Sequence, residues 1–254
     1  MEAKSVQTLD RTLDIIELLA LSREGMGVSE IAQKISLHKS TVHRLLNALA
    51  IRGYIEKDAT SLQYRLGLKF IEISSLRLNH LELKTEASPT LRAMSETLDQ
   101  VVHLAILDKA EVVYIEKLEP RTSLRMYSQI GRRIPVYCSA LGKALVSDLG
   151  ADKLRQLADS ISYKAFTERT LTSSTDFIHA VEITRQRGWG IDDGEYEIGI
   201  RCFGAPIFDY TGRIIAALST SGTRDKAKND QDLVTSVTNA ARLISRRMGF
   251  VGGT

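Results

Sequence analysis

Apolar residues at Val6, Leu9, Leu13, Ile16 and Leu19 return at the period of a helix with one buried face, which predicts a first helix ending near Gly25 or Gly27. Ser29 can cap a second, short helix over Glu30–Ile35. A tight turn at Ser36–His38 leads to a third helix over Lys39–Arg52, which Gly53 stops. Two short alternating runs follow, Tyr54–Lys57 and Gln63–Leu66, joined by the turn-forming residues Asp58-Ala59-Thr60-Ser61. Three helices followed by a β-hairpin is the order of a winged helix-turn-helix.

The pattern becomes helical again over Gly67–Leu83, which reads as a linker helix. Pro89 falls near the start of a further helix reaching Leu98. Strand-like runs then take over at Val101–Leu107, Glu111–Leu118 and about Leu124–Ile130. Helices are predicted at Ser139–Asp148 and Thr175–Arg187, strands at Ile200–Asp209 and Arg213–Ser221 around a Tyr210-Thr211-Gly212 turn, and a last helix at Gln231–Met248. The expected division is residues 1–66 as the winged helix-turn-helix, 67–83 as the linker and 84–254 as a second domain. Hairpins mixed with helices make that domain α+β on an antiparallel sheet.

Length and composition agree with two domains. The 254 residues can fill two cores, and 43% hydrophobic content excludes a largely disordered chain. No secretory pattern opens the sequence, and no uncharged apolar run is long enough to span a bilayer, so a cytoplasmic protein with no membrane partner is expected. Two cysteines, Cys138 and Cys202, rule out a disulfide framework. The net charge of +3 says little, but its placement says more: from Ile31 to Ile55 there are Lys34, Lys39, Arg44 and Arg52 with His38 and His43, and no acid.

On a helical period, Val42, Leu45, Leu46 and Leu49 of the third helix face a core, and Ser40, His43, Arg44 and Asn47 face out. Such an acid-free, hydrogen-bonding face suits a major groove, where Arg grips guanine and Asn grips adenine. Lys39 and Thr41 are placed for phosphates at the helix start, and Ser61, Gln63 and Arg65 on the hairpin can reach the DNA as a wing. The expected partner is a double-stranded, palindromic operator read by a homodimer, whose apolar stripes on the first helix and linker can form the dimer surface.

The stretch Ile31–Tyr54 around Lys39-Ser40-Thr41-Val42-His43-Arg44-Leu45-Leu46, then Tyr64-Arg65-Leu66-Gly67, the run from Gly131-Arg132-Arg133 to Leu141-Gly142-Lys143, and Gly199-Ile200-Arg201-Cys202 with Pro206, Phe208, Asp209 and Ala217-Leu218-Ser219 together resemble the IclR-type bacterial transcriptional regulators. His38 departs from the Ser or Pro the family more often places there. The resemblance implies a GAF-like effector domain that binds a small organic acid, with Ala140, Leu141, Asp192, Ile200, Cys202, Ser219 and Ser221 at the matching pocket positions. It also allows a homotetramer, a dimer of dimers through these domains. Leu124-Arg125-Met126-Tyr127-Ser128, Gly131-Arg132-Arg133 and Thr167–Ser173 look most like the branch responding to sugar acids such as 2-keto-3-deoxygluconate.

Elementary chemistry supports such a pocket. Backbone N–H groups opening the Ser139 helix suit a carboxylate. Ser219 and Ser221 share a strand face, and Asp192 can accept hydroxyl hydrogen bonds. Gly142-Lys143 is not a P-loop, because Tyr137 and Ala144 stand where a Gly and a Ser or Thr are needed. His103, Cys138, Cys202, Asp192, Asp193, Glu195 and Glu197 could be assembled into a catalytic or metal site, yet no ligand spacing supports it. No cofactor, metal or enzyme activity is expected. The remaining alternative is a redox sensor using Cys138 and Cys202, which needs a thiol of low pKa. No motif encodes whether the ligand induces or co-represses.

Overall fold

The computed structural model describes residues 6–22, 24–73, 82–120, 128–224 and 229–252. The chain divides into two compact units, Met1–His80 and Leu81–Thr254.

In the first unit α1 (Gln7–Ala20), α2 (Val28–Lys34) and α3 (Lys39–Ile51) precede the antiparallel pair β1 (Ile55–Lys57) and β2 (Tyr64–Leu66). Their core is Ile15, Leu19, Ile31, Val42, Leu45, Leu46, Leu49, Ile55 and Tyr64. Leaving water with that apolar surface is what holds such short elements together. The winged helix-turn-helix order is therefore present, with corrections at its joints. Helix α1 ends at Ala20, short of Gly25, and it turns Ile15 and Leu19 inward while Val6, Leu9 and Leu13 stay exposed. Ser29 does not cap α2; Gly27 holds that position without a side-chain bond. The hairpin turn forms as expected, with Asp58 Oδ1 accepting from the Thr60 N–H at 2.9 Å and the Ser61 N–H at 2.7 Å.

A helical stretch over 69–73 follows; residues 74–81 of the expected linker lie outside the described residues, and its last two, Glu82 and Leu83, open the next helix. Helix α4 (Glu82–Leu98) opens the second unit and carries Pro89 in its interior, so the proline does not mark the start that the sequence suggested. The sheet contains β3 (Val101–Asp108), β4 (Glu111–Leu118), β5 (Arg133–Pro135), β6 (Gly190–Asp193), β7 (Ile200–Phe208) and β8 (Ile214–Thr223). Its order is β5-β4-β3-β8-β7-β6, and the recorded pairings are antiparallel. Most of the strand expected at Leu124–Ile130 lies outside the described residues; Ser128–Ile130 is not strand, and the pairing segment comes later as β5.

The helix expected over Ser139–Asp148 is shorter, a 3₁₀ turn at Val136–Cys138 leading into α5 (Ala140–Leu145). Helix α6 (Ala151–Asp159), which the sequence reading passed over, and α7 (Ser174–Arg187) follow. Residues Ala216–Ser221 of β8 are all buried, which requires cover on both sheet faces. Helix α5 packs on β6, β7 and β8, and α4 pairs with α8 (Asp230–Arg247) against β3, β4, β7 and β8. This α+β domain on an antiparallel sheet is the architecture expected.

Candidate DNA-reading face and effector cavity

On α3 the apolar face is consumed by the core, which forces the remaining side chains into water. Lys39, Ser40, His43, Arg44 and Asn47 are exposed and Thr41 is half-buried. His38 caps the helix without a side-chain hydrogen bond; its carbonyl accepts the Thr41 N–H at 3.0 Å, and no capping side chain claims the N–H groups before it. The Asn47 amide lies 3.3 Å from His43 Nδ1, one turn away, which fixes both head groups on the outer face. Lys39 and Arg44 have no protein partner among the described residues.

The wing is more committed. Ser61 Oγ donates to Asp58 Oδ1 at 3.0 Å, serving the turn. Those bonds, led by the Ser61 N–H, hold the Asp58 carboxyl below its ordinary range. Arg65 pairs with its cross-strand neighbour Glu56 at 3.3 Å in an exposed contact that water and salt weaken. Gln63 is half-buried beside them.

In the second unit the sheet register builds a cavity floor. Asp192, Cys202 and Ser221 stand opposite one another across β6, β7 and β8. One step along, Gly190, Gly204, Ser219 and His103 form the next row on the same face. The two glycines admit the start of α5. A Cβ on Gly190 would stand 2.5 Å from the Ala140 carbonyl oxygen, and one on Gly204 would stand 3.1 Å from the Leu141 nitrogen. Ala140 and Leu141 therefore close down beside the polar row and leave a small cavity between them and the sheet.

All the effector positions expected from the sequence, Ala140, Leu141, Asp192, Ile200, Cys202, Ser219 and Ser221, lie on the wall of this one cavity. The sequence reading missed Tyr114, Ile134 and Tyr196, quoted Ser128 and Arg132 only within the runs that resemble the sugar-acid branch, and treated His103 and Glu197 only as candidates for a catalytic or metal site. Strand alternation could have found His103 and Tyr114, since a polar ring inside an apolar strand faces something. Arg132, Tyr196 and Glu197 come from connecting loops, which carry no periodic signal.

The anion site expected at the Ser139 helix is weaker than the sequence suggested. Helix α5 is a 6-residue helix, and Ser139 Oγ already accepts the Gly142 N–H at 2.9 Å. Gly142 is required by packing, since a Cβ there would lie 2.2 Å from the Val136 carbonyl oxygen. Lys143 is buried and donates to both Glu195 oxygens, at 2.5 and 2.6 Å, and to the Ile191 carbonyl at 2.6 Å. It staples the loop after β6 to α5, so the Gly-Lys pair is a structural device.

The cavity is electrically restrained. Burial, aided by Lys117 across the strand pair, lowers the His103 pKa to about 3, so the ring is neutral. His103 Nε2 lies 2.7 Å from Ser128 Oγ, while its buried Nδ1 has no partner among the described residues. Burial and then the Glu195 charge raise Asp192 to about 7, although its Oδ1 accepts the Glu195 N–H at 2.7 Å. At the mouth Arg132 donates to the Tyr196 hydroxyl at 3.1 Å. Burial, and then Asp192, push both the Cys138 and Cys202 thiols upward, away from the reactive thiolate a redox sensor needs. Among the described residues no cluster of His, Cys, Asp or Glu could hold a metal ion, and no helix is long and apolar enough to cross a membrane.

A helix-turn-helix unit followed by a sheet domain with a polar-walled cavity defines a transcriptional regulator. Residues 8–59 match the IclR helix-turn-helix domain, and residues 76–246 match the family described as bacterial transcriptional regulator IclR C-terminal. The chain is 36% identical over 248 residues to the HTH-type transcriptional regulator KdgR of Escherichia coli (strain K12), covering 97% of this chain and 94% of that protein. It is 35% identical to the HTH-type transcriptional regulator XynR of the same strain, covering 96% of this chain and 98% of that one. The crystal structure of the Thermotoga maritima IclR matches with a TM-score of 0.84 at 29% identity, covering 96% of this chain and 99% of that chain. The chain belongs to the IclR family of bacterial transcriptional regulators, and the KdgR match agrees with the branch that its motifs resemble.

Proposed function

We propose that this regulator binds a small organic acid, a sugar acid or a related hydroxy or keto acid, in the cavity between α5 and the sheet, and that occupancy changes its affinity for a palindromic double-stranded operator. The observation that carries this reading is the cavity wall, where residues from β3, α5, β6, β7 and β8 bring Ser, His and Asp groups together beside an arginine. Such a wall suits a ligand with many oxygens and one negative charge. The protein acts in the cytoplasm as a homodimer or homotetramer without cofactor or catalysis, and the ligand works through its differential affinity for two states.

On the DNA side, Arg44 and Asn47 read bases with Ser40 and His43, Lys39 and Thr41 hold phosphates at the start of α3, and Ser61, Gln63 and Arg65 form the wing contacts. A thermal-shift panel of sugar acids and small keto acids tests the first half: a specific rise in melting temperature names the ligand class, and operator binding with and without that compound tests the coupling. Ser219→Ala with Ser221→Ala is expected to blunt that response and leave operator binding intact. Arg44→Ala is expected to weaken operator binding by about 1–3 kcal/mol while ligand binding is unchanged. Normal operator affinity in Arg44→Ala would place the recognition surface elsewhere.

A further inference from the structure

Among the described residues, Nδ1 of His103 is the buried side-chain polar atom left without a hydrogen bond, in a side chain that is only 2% exposed. A nitrogen that loses water and gains no partner destabilises the folded chain. Packing does not explain why it is kept. The ring lies 4.7 Å from the Tyr114 ring at 36°, a contact that phenylalanine could also make. The engaged nitrogen, Nε2, meets Ser128 Oγ at 2.7 Å, and Ser128 is half-buried, so water could serve that hydroxyl instead.

The place of the ring gives it a use. His103 on β3 stands opposite Ser219 on β8, and both line the cavity with Ser128 and Tyr114. Neighbouring strands lie about 4.8 Å apart, so a ligand held at Ser219 brings the next part of its carbon chain beside His103. The buried ring is neutral and carries a single proton. If Nε2–H donates to Ser128, Nδ1 accepts; if the Ser128 hydroxyl donates to Nε2, Nδ1–H donates. A ligand hydroxyl satisfies Nδ1 in either tautomer, and a methylene satisfies it in neither.

We infer, resting on the acid-binding reading above, that His103 is a specificity-determining residue of the effector site: its Nδ1 pairs with one hydroxyl on the ligand's carbon chain and selects against the same acid deoxygenated at that carbon. An acid with this hydroxyl removes a defect that the empty chain carries, whereas an acid without it leaves Nδ1 buried and unpaired in the complex as well. Other groups on the wall set the place of the carboxylate, so a neutral His103 reads the carbon chain and not the charge.

Calorimetry on the full chain tests this with D-gluconate, 2-keto-3-deoxy-D-gluconate and the derivatives of each that lack one hydroxyl. The unmodified protein is expected to bind at least one parent acid, and one of its deoxy derivatives at least tenfold more weakly. In His103→Phe that derivative and its parent should bind within about twofold of each other, while the ratios for the other derivatives persist, as a direct pairwise contact requires. The unliganded variant should melt no lower than the unmodified chain, because the unpaired nitrogen is gone. Two further variants identify the nitrogen. Asparagine carries a polar atom near the place of Nδ1, and glutamine carries one near the place of Nε2, so His103→Asn should keep part of the discrimination and His103→Gln should lose it. Four outcomes overturn the contact and leave the acid-binding reading standing: no deoxy derivative weaker than its parent, all ratios unchanged in His103→Phe, a lower melting temperature with parent and derivatives weakened alike, or discrimination kept by His103→Gln and lost by His103→Asn. An unmodified protein that binds neither parent acid overturns that reading and the contact with it.

Discussion

The outer face of α3 and the floor of the cavity contain similar polar groups under opposite rules. On α3 the side chains stand in water, and Lys39 and Arg44 have no protein partner among the described residues. On the sheet floor, groups are nearly dry and several are engaged, His103 with Ser128 and Asp192 with the Glu195 N–H. A surface that meets a polyanion keeps its charge solvated until the partner arrives, when counterion release supplies much of the affinity. A pocket for a small ligand has its desolvation met during folding, so its polar groups must be aimed in advance. The two regions should therefore fail differently when altered: the cavity through stability and pH, the helix face through affinity and salt.

The largest effect is expected at Lys143. It is 2% exposed, and removing it leaves Glu195 buried without its cation. Lys143→Ala should destabilise the second unit by about 3–5 kcal/mol, the cost of a broken buried pair. Chemical denaturation followed in this unit checks it. A loss under about 1 kcal/mol, the range of an exposed pair, would mean that water reaches Glu195. No comparable loss is available on α3, where Arg44→Ala should leave melting unchanged.

Asp192 gives the next effect, with a sign fixed by linkage. Its folded pKa is raised from 3.8 to about 7, so folding favours the protonated acid. The associated stability is fully present below about pH 4 and is lost as pH rises through about 7, a change of a few kcal/mol. Asp192→Asn removes that titration, because the amide oxygen can still accept the Glu195 N–H. The variant's melting temperature, relative to the unmodified protein, should be more favourable at pH 8 than at pH 5. Parallel pH profiles would show that Asp192 is ionised and solvated in the folded chain.

How much of each region was legible follows from the same physics. The α3 face could be read directly, because one helix supplies both its core stripe and its polar stripe, and periodicity reports both. Its joints could not: Gly27 caps α2 where Ser29 looked the better residue, since backbone geometry chose the start. In the cavity, Ser219 and Ser221 could be paired by strand alternation, while the other expected positions came from family resemblance. That Arg132, Tyr196 and Glu197 line the cavity stayed hidden because loops meet only after the sheet has formed. Lys143 was hidden for another reason: a lysine in a short helix gives no sequence sign that its charge is buried.

The smallest effect is expected at the wing, where the two rules meet. Arg65 is exposed like Arg44 but already shares its charge with Glu56. To contact a phosphate it must release that carboxylate, and an exposed pair costs only about 0–1 kcal/mol to break. Arg65→Ala should therefore weaken binding by a similar factor across operator variants and lower the salt slope by about 1, whereas Arg44→Ala should relax preference at particular bases. Glu56→Ala sharpens the contrast, because it frees Arg65 without touching the DNA. It should strengthen binding slightly and more at low salt, where the competing carboxylate matters most. If Glu56→Ala leaves affinity unchanged at every salt concentration while Arg65→Ala alters base preference, Arg65 is a base reader, and the wing belongs with the recognition helix instead of with the phosphate contacts.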